Sequence, residues 1–130
     1  MIRLSLTAGA VFGLLSVALG AFGAHGLRAD TSGHLLTTWA TAADYLSMHA
    51  LALLAIGSLS AQRPGSRLLN LSAWAFVAGG TLFSGSLFMR VLTDERAWGA
   101  VTPFGGSILI AGWAVLALGL WRLFAPRRAR

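Results

Sequence analysis

Four long stretches of the chain contain no Asp, Glu, Lys or Arg: residues 4–24, 45–62, 68–89 and 97–121. An α-helix rises about 1.5 Å per residue, so crossing a hydrocarbon core about 30 Å thick takes about 20 mostly apolar residues. Each stretch is long enough to do so. The sequence therefore predicts an all-α protein: an integral membrane four-helix bundle.

The composition supports a membrane protein with one domain. Hydrophobic residues make up 56% of the 130 residues and charged residues 11%, which leaves too little polar surface to cover a soluble core. No cysteine is present, so disulfides, thiolate metal sites and cysteine nucleophiles are excluded. We predict a single transmembrane domain over residues 1–130, with spans at about 4–26, 45–62, 68–92 and 103–123.

The charged residues are distributed unevenly about these spans. All four acidic residues fall on one side together with three arginines, and seven arginines fall on the other side without an acid. By the positive-inside rule, the side with seven arginines is cytoplasmic, and both termini lie there. Because the arginines are not gathered with aromatic side chains on one soluble surface, no nucleic-acid partner is expected. The seven are Arg3, Arg63, Arg67, Arg122, Arg127, Arg128 and Arg130.

The first span shares features with a secretory signal peptide, since it follows Arg3 and contains small residues at Ala21 and Gly23. Its apolar run is longer than the 7 to 15 residues usual in a signal peptide, so we expect the span to be retained. The start of the chain is not the Arg- and Ser-rich segment of a mitochondrial presequence. A multi-pass protein of the bacterial inner (plasma) membrane is therefore the expected localisation.

Small residues recur along the spans at helical spacing. On one helix face such residues allow close backbone approach, which stabilises helix pairs in lipid, where little hydrophobic force acts between helices. These residues are predicted to be helix-packing positions, within the chain or against another protein. The predicted positions are Gly9, Gly13, Ser16, Gly20, Gly23, Gly80, Gly105, Gly112 and Gly119.

The connecting segments predict where helices begin and turn. Ser32 is expected to cap a short helix over about 32–43 that lies at the outer interface, with Trp39 in an outer aromatic belt. Residues 62–66 form an expected tight turn containing Pro-Gly. Thr102 is the expected N-cap of the fourth span.

Several polar residues lie near one depth at the outer end of the predicted bundle. Such a cluster is compatible with a hydrogen-bonded plug, a proton-handling site or part of a ligand pocket, because burying these groups without partners is costly. Two histidines without a third ligand at suitable spacing do not indicate a metal or haem, so neither a metal nor a cofactor is predicted. The candidate residues are His25, Tyr45, His49, Ser84, Ser86, Arg90 and Thr102.

No catalytic pattern is found in the sequence. Neither a Ser, His and acid arrangement nor paired carboxylates occur at the depth and spacing that catalysis requires. The glycines lie inside apolar helices and not in a phosphate-binding loop. The chain is therefore predicted not to be an enzyme.

Four motifs occur in order along the chain: GAFGAHGL at 20–27, YLSMHALALL at 45–54, FSGSLF at 83–88 and TPFGG at 102–106. Together they resemble the YgdD-like family of small membrane proteins, which carries the label domain of unknown function 423. The resemblance implies a four-helix inner-membrane protein without an established activity. The family motif commonly reads SGSLY where this chain has Phe88, and Arg90 is unusual beside the mostly apolar family pattern.

Three hypotheses of function follow, of which the least favoured is an enzyme or cofactor carrier with a ligand between helices. The first is a non-enzymatic packing or accessory subunit of a larger membrane complex, whose partners are the lipid bilayer and other membrane protein subunits or a second copy of the chain. The alternative is a membrane protein that handles a small solute or protons through the polar cluster.

Overall fold

A computed structural model describes residues 1–27 and 31–125 of the chain. These ranges contain four α-helices, one short 3₁₀ helix and no strand. Arg28 and Asp30, which belong to the predicted outer side, and Arg127, Arg128 and Arg130, which belong to the predicted cytoplasmic side, lie outside the described residues. The α-helices are α1 (Ile2–His25), α2 (Gly33–Gln62), α3 (Arg67–Thr93) and α4 (Thr102–Phe124), and the 3₁₀ helix is Arg96–Ala100.

Each of the four α-helices is long and apolar enough to cross a membrane. This confirms the all-α, four-helix prediction made from the charge-free stretches. The helices follow one another through short connections, so neighbours in sequence are antiparallel, and α1 and α3 run opposite to α2 and α4.

The helix predicted over 32–43 is not a separate element. The structure continues it without a break into the second span as α2, which has 30 residues and a length of about 45 Å. No Pro or Gly interrupts residues 34–56, and the segment is rich in alanine, so nothing in the sequence ends the helix there. Ser32 does cap α2, as predicted, since its hydroxyl accepts from the Leu35 N–H at 3.4 Å.

Trp39 also differs from its predicted position in an exposed aromatic belt. It is buried between α1 and α3, with 2% of its surface exposed. Its ring packs against Phe22 and Phe88 at centroid distances of 5.5 and 4.6 Å. The indole N–H donates to the Leu19 carbonyl at 2.7 Å, so Trp39 joins α2 to α1 instead of facing lipid headgroups.

The helices form two tightly packed hairpins, α1 with α2 and α3 with α4, which meet through α2 and α3. α2 and α3 are the more buried helices. Across the described residues, α1 and α4 share no extensive contact. The bundle is thus centred on α2 and α3, with Leu53, Leu69 and Phe76 among its fully buried side chains.

The turn between α2 and α3 is as the sequence predicts, but the start of α4 is not. Gly65 has a φ of 92°, which a Pro-Gly turn favours, and Ser66 caps α3 by accepting from the Leu69 N–H. The prediction of Thr102 as an N-cap is wrong. Val101 already has helical dihedrals and its carbonyl accepts from the N–H groups of the first turn, so Thr102 lies inside α4 and its hydroxyl is free for another helix.

Candidate functional site

His49 is a fully buried polar side chain, and each of its two ring nitrogens has a hydrogen-bond partner. It lies on α2 with none of its surface exposed. Its Nδ1 is 2.7 Å from the Tyr45 carbonyl oxygen, and its Nε2 is 3.1 Å from Nε1 of Trp113 on α4. An indole N–H can only donate, so Nε2 accepts and Nδ1 carries the hydrogen that is donated to Tyr45. The contacts therefore define one neutral tautomer of His49.

Aromatic rings enclose this histidine. Phe76 of α3 meets the imidazole edge-on at a centroid distance of 5.1 Å, and Trp113 lies 6.0 Å away. Phe76 and Trp113 in turn pack at 4.9 Å. His49 thus connects α2 to both helices of the second hairpin, and both of its ring nitrogens serve contacts within the chain.

A second polar contact joins α3 to α4. The hydroxyls of Ser86 and Thr102 are 2.8 Å apart, and Ser86 also donates to the carbonyl of Phe83 in its own helix at 2.9 Å. Thr102 likewise has a second acceptor, the Trp98 carbonyl at 3.4 Å, so either hydroxyl can donate to the other. This pair holds the end of α3 against the start of α4.

Beside this pair, a cavity of about 480 Å³ opens near the ends of α3 and α4 that the sequence predicts to face outward; we call it the outer cavity. Arg90 and Thr102 line it together with Pro103. The early turns of α2 contribute His34 and Thr38, which were not among the predicted site residues. The cavity therefore combines a guanidinium, an imidazole and two hydroxyls at one end of the bundle.

The structure divides the predicted polar cluster instead of bringing all of it together. Arg90 and Thr102 line the outer cavity, and the buried Ser86 contacts Thr102 beside it. Tyr45 stacks on Phe83 at 4.3 Å, its carbonyl accepts from His49, and its ring centroid lies 6.0 Å from the imidazole. His25 is exposed at the end of α1. Ser84 is buried, and its hydroxyl has no partner among the described residues.

Trp113 is a further site residue that the sequence did not predict. It lies in the middle of an apolar span, where a tryptophan is usually a lipid-facing or packing residue. The useful signal was its indole N–H, since a donor at that depth needs an acceptor. Finding His49 as that acceptor requires the relative register of α2 and α4, which the sequence does not supply.

Most of the predicted small-residue positions lie against a neighbouring helix. A Cβ on Gly9 would lie 3.0 Å from the Ala50 carbonyl oxygen of α2, and one on Gly23 would collide with the Trp39 indole. Gly13 has a looser contact, at 3.9 Å from the Ala50 Cβ. Ser16 is buried and donates to the Gly13 carbonyl at 3.1 Å.

The glycines of α3 and α4 are equally close to their neighbours. A Cβ on Gly80 would lie 2.6 Å from the ring of Phe12 in α1. A Cβ on Gly105 of α4 would lie 2.5 Å from the Phe83 backbone nitrogen of α3. Gly112 lies against Phe76, and Gly119 against Leu68.

Two glycines missing from the predicted set are as close to neighbouring helices, a third, Gly106, makes an ordinary contact with α3, and one member of the set has no such neighbour. A Cβ on Gly57 would lie 2.7 Å from the Leu6 side chain, and a Cβ on Gly79 would lie 2.8 Å from the Leu109 side chain. At Gly20, no atom of the described chain other than the local backbone lies within 4 Å of such a Cβ. The predicted face on α1 therefore contacts α2 at Gly9 and Gly23 but is open at Gly20.

Two pairs of polar side chains, His49 with Trp113 and Ser86 with Thr102, form hydrogen bonds between helices. Within residues 1–27 and 31–125, no group of three His, Asp or Glu side chains is close enough to bind a metal ion. The four long apolar helices, the buried His49 and Trp113 pair and the close glycine contacts together define a multi-pass helical membrane protein.

The chain belongs to the family described as "Protein of unknown function (DUF423)", whose model matches residues 19–106. It is 40% identical over 120 residues to a UPF0382 membrane protein of Staphylococcus aureus, covering 92% of this chain and 97% of the relative. It is 38% identical to the UPF0382 membrane protein YwdK of Bacillus subtilis, covering 85% of this chain and 89% of YwdK. None of the solved structures compared with the chain matches it.

Proposed function

We propose that the protein is a non-enzymatic subunit of a larger membrane assembly, which it joins through the apolar faces of its peripheral helices. The observation that carries this proposal is the open position at Gly20. The other predicted glycines have a neighbour within the chain, whereas no atom of another described helix lies within 4 Å of a Cβ built on Gly20. A small residue at such a position allows another helix to approach closely.

The surroundings of Gly20 support this proposal. α1 is the least buried of the four helices. Large apolar side chains on its outer surface, such as Leu14 and Val17, are 69% and 73% exposed. Such a face is covered in the membrane by lipid or by another protein. His49 supports a non-enzymatic role, because both of its nitrogens are engaged in contacts within the chain.

Extraction of the protein from its native membrane in a mild detergent tests the proposal. We expect a particle that contains a second membrane protein at constant stoichiometry. A particle made only of this chain, as a monomer or as a homo-oligomer, would contradict the accessory role. Mass and subunit composition of the purified particle provide the measurement.

A pair of variants then tests whether Gly20 is the contact. Gly20→Leu is expected to release the partner, because the larger side chain separates the helix backbones. Ala18→Leu adds the same side chain at nearly the same depth on an exposed position of α1, and should leave the partner bound. Equal retention of the partner by both variants would exclude Gly20 as the contact.

We also propose that the protein lies in the bacterial inner membrane with both termini in the cytoplasm. The distribution of arginines and acids about the spans supports this orientation. A reporter that is active only in the cytoplasm should therefore be active when it is fused to the C-terminus. Activity of a periplasmic or extracellular reporter at that position would reverse the orientation.

A second candidate function, solute or proton handling, is favoured by the outer cavity of about 480 Å³ lined by Arg90, His34 and Thr102. In vesicles containing the protein and a pH-sensitive dye, this function predicts a proton flux that Arg90→Gln reduces and that replacement of His25 and His49 by Gln also reduces. Wild-type vesicles no more permeable to protons than empty ones would exclude proton handling.

A further inference from the structure

Three arginines gather at the end of the bundle opposite the outer cavity. Arg63 follows α2, Arg67 begins α3, and Arg122 lies in the last turn of α4. Two cavities occur between these helix ends, one of about 320 Å³ that includes Arg67 and one of about 460 Å³ that includes Arg63. Both are lined by Arg122 and Leu123, so the cavities adjoin.

No carboxylate of the described chain balances these guanidinium groups. Asp94 and Glu95 follow the far end of α3, about 40 Å from Arg67 along a helix of 27 residues. Asp44 lies in the half of α2 away from Arg63. The guanidinium carbon of Arg63 lies 5.7 Å from the ring centroid of Phe124, a cation–π contact that leaves its N–H groups without an acidic partner among the described residues. The gathered charges therefore favour an anion from outside the chain.

An apolar groove begins one helical turn from this basic end. It is a cavity of about 170 Å³ between α2 and α4 whose lining side chains are all apolar or aromatic. Leu59 lies one turn before Arg63, and Leu120 lies one turn before Phe124. From Leu120 the groove extends along α4 to Trp113, a rise of about 10 Å. A basic cavity and an apolar groove thus follow one another along the same two helices.

We propose that this combined surface binds one anionic phospholipid. The phosphate lies between Arg63 and Arg122, with Arg67 nearby, and one acyl chain lies in the α2–α4 groove toward Trp113. Guanidinium groups bind phosphate oxygens through charge-assisted, often bidentate hydrogen bonds. Basic pockets between transmembrane helices bind anionic headgroups in the same way. The groove supplies the apolar contact that a free phosphate would not use.

Lipid binding can be measured by native mass spectrometry of the delipidated full chain in detergent. The probes are phosphatidylglycerol and phosphatidylcholine with identical acyl chains. We expect one phosphatidylglycerol to bind about tenfold more tightly than phosphatidylcholine. Arg63→Gln together with Arg122→Gln should remove this preference. Arg96→Gln, at the opposite end of the bundle, is the control and should retain it. Equal binding of the two lipids by the wild type, or full retention of the preference by the double variant, would overturn the proposal.

The groove is tested separately from the charges. Ala55 is exposed and lines the groove, so Ala55→Leu fills part of it without disturbing the buried core. This variant should weaken phosphatidylglycerol binding, whereas Ala78→Leu, at an exposed alanine of α3 outside the groove, should not. Unchanged binding by Ala55→Leu would contradict a chain in the groove. Displacement of the lipid by millimolar inorganic phosphate would show that the site holds a soluble anion instead.

Discussion

Gly105 is the position where the packing of α3 on α4 is closest, and Gly105→Ala tests how much that packing contributes to stability. A Cβ there would lie 2.5 Å from the backbone nitrogen of Phe83 and 2.8 Å from its Cα. Ordinary van der Waals contacts begin near 3.4 Å. Backbone atoms cannot rotate away as a side-chain tip can, so the two helices must separate locally by about 1 Å.

The cost follows from the contacts that such a separation weakens. A gap of about 0.5–1 Å removes roughly a quarter to a half of the dispersion energy of each affected contact. Overpacking of this kind costs about 1–3 kcal/mol. The gain in helix propensity from replacing glycine by alanine, about 1 kcal/mol, offsets part of this cost. We therefore expect Gly105→Ala to lower the free energy of unfolding by up to about 2 kcal/mol.

The neighbouring glycine provides a matched control. A Cβ on Gly106 would lie 3.6 Å from the Phe83 ring, which is an ordinary contact. Gly106→Ala should therefore be neutral or slightly stabilising. Reversible unfolding in mixed detergent micelles, followed by helical circular dichroism, measures both variants. If Gly105→Ala is as stable as Gly106→Ala, the backbone contact between α3 and α4 does not limit the packing.

The polar contacts lead to two further predictions. In a double-mutant cycle with His49→Leu and Trp113→Phe, the coupling free energy should be about 0.5–1.5 kcal/mol because each residue is the hydrogen-bond partner of the other, and a value near zero would refute the bond. Ser86→Ala should lower the free energy of unfolding by about 0.5–1.5 kcal/mol, because the contact with Thr102 is lost. Ser84→Ala should not lower it, since the Ser84 hydroxyl has no partner among the described residues. Equal destabilisation by the two serine variants would contradict this assignment.

The sequence predicted the four helices well because absence of charge over about 20 residues is a strong physical constraint in lipid. It was less informative about where α2 begins to cross the membrane. The polar, threonine-containing segment before Asp44 resembles an interfacial helix in composition, yet it continues α2 into the bundle. Composition alone does not show that Trp39 turns inward to donate to the Leu19 carbonyl.

The predicted glycines illustrate the same limit. Helical spacing indicated that they share a face, but not which helix that face would contact. The structure shows contacts of Gly9 and Gly23 with α2, of Gly80 with α1, and of Gly105 with α3. Gly57 and Gly79 make equally close contacts and were not predicted, because neither was part of the recognised spacing pattern.

The candidate sites that the sequence did not predict lie mainly between the two hairpins. Within a hairpin, a short connection and close glycine contacts fix the register of the two helices. α2 and α4 are joined by neither, so their relative register depends on the packing of the whole bundle. The bond from Trp113 to His49 and the apolar groove ending at Trp113 both cross this α2–α4 boundary. Because His49 and Trp113 are 64 residues apart, no local spacing pattern could have paired them.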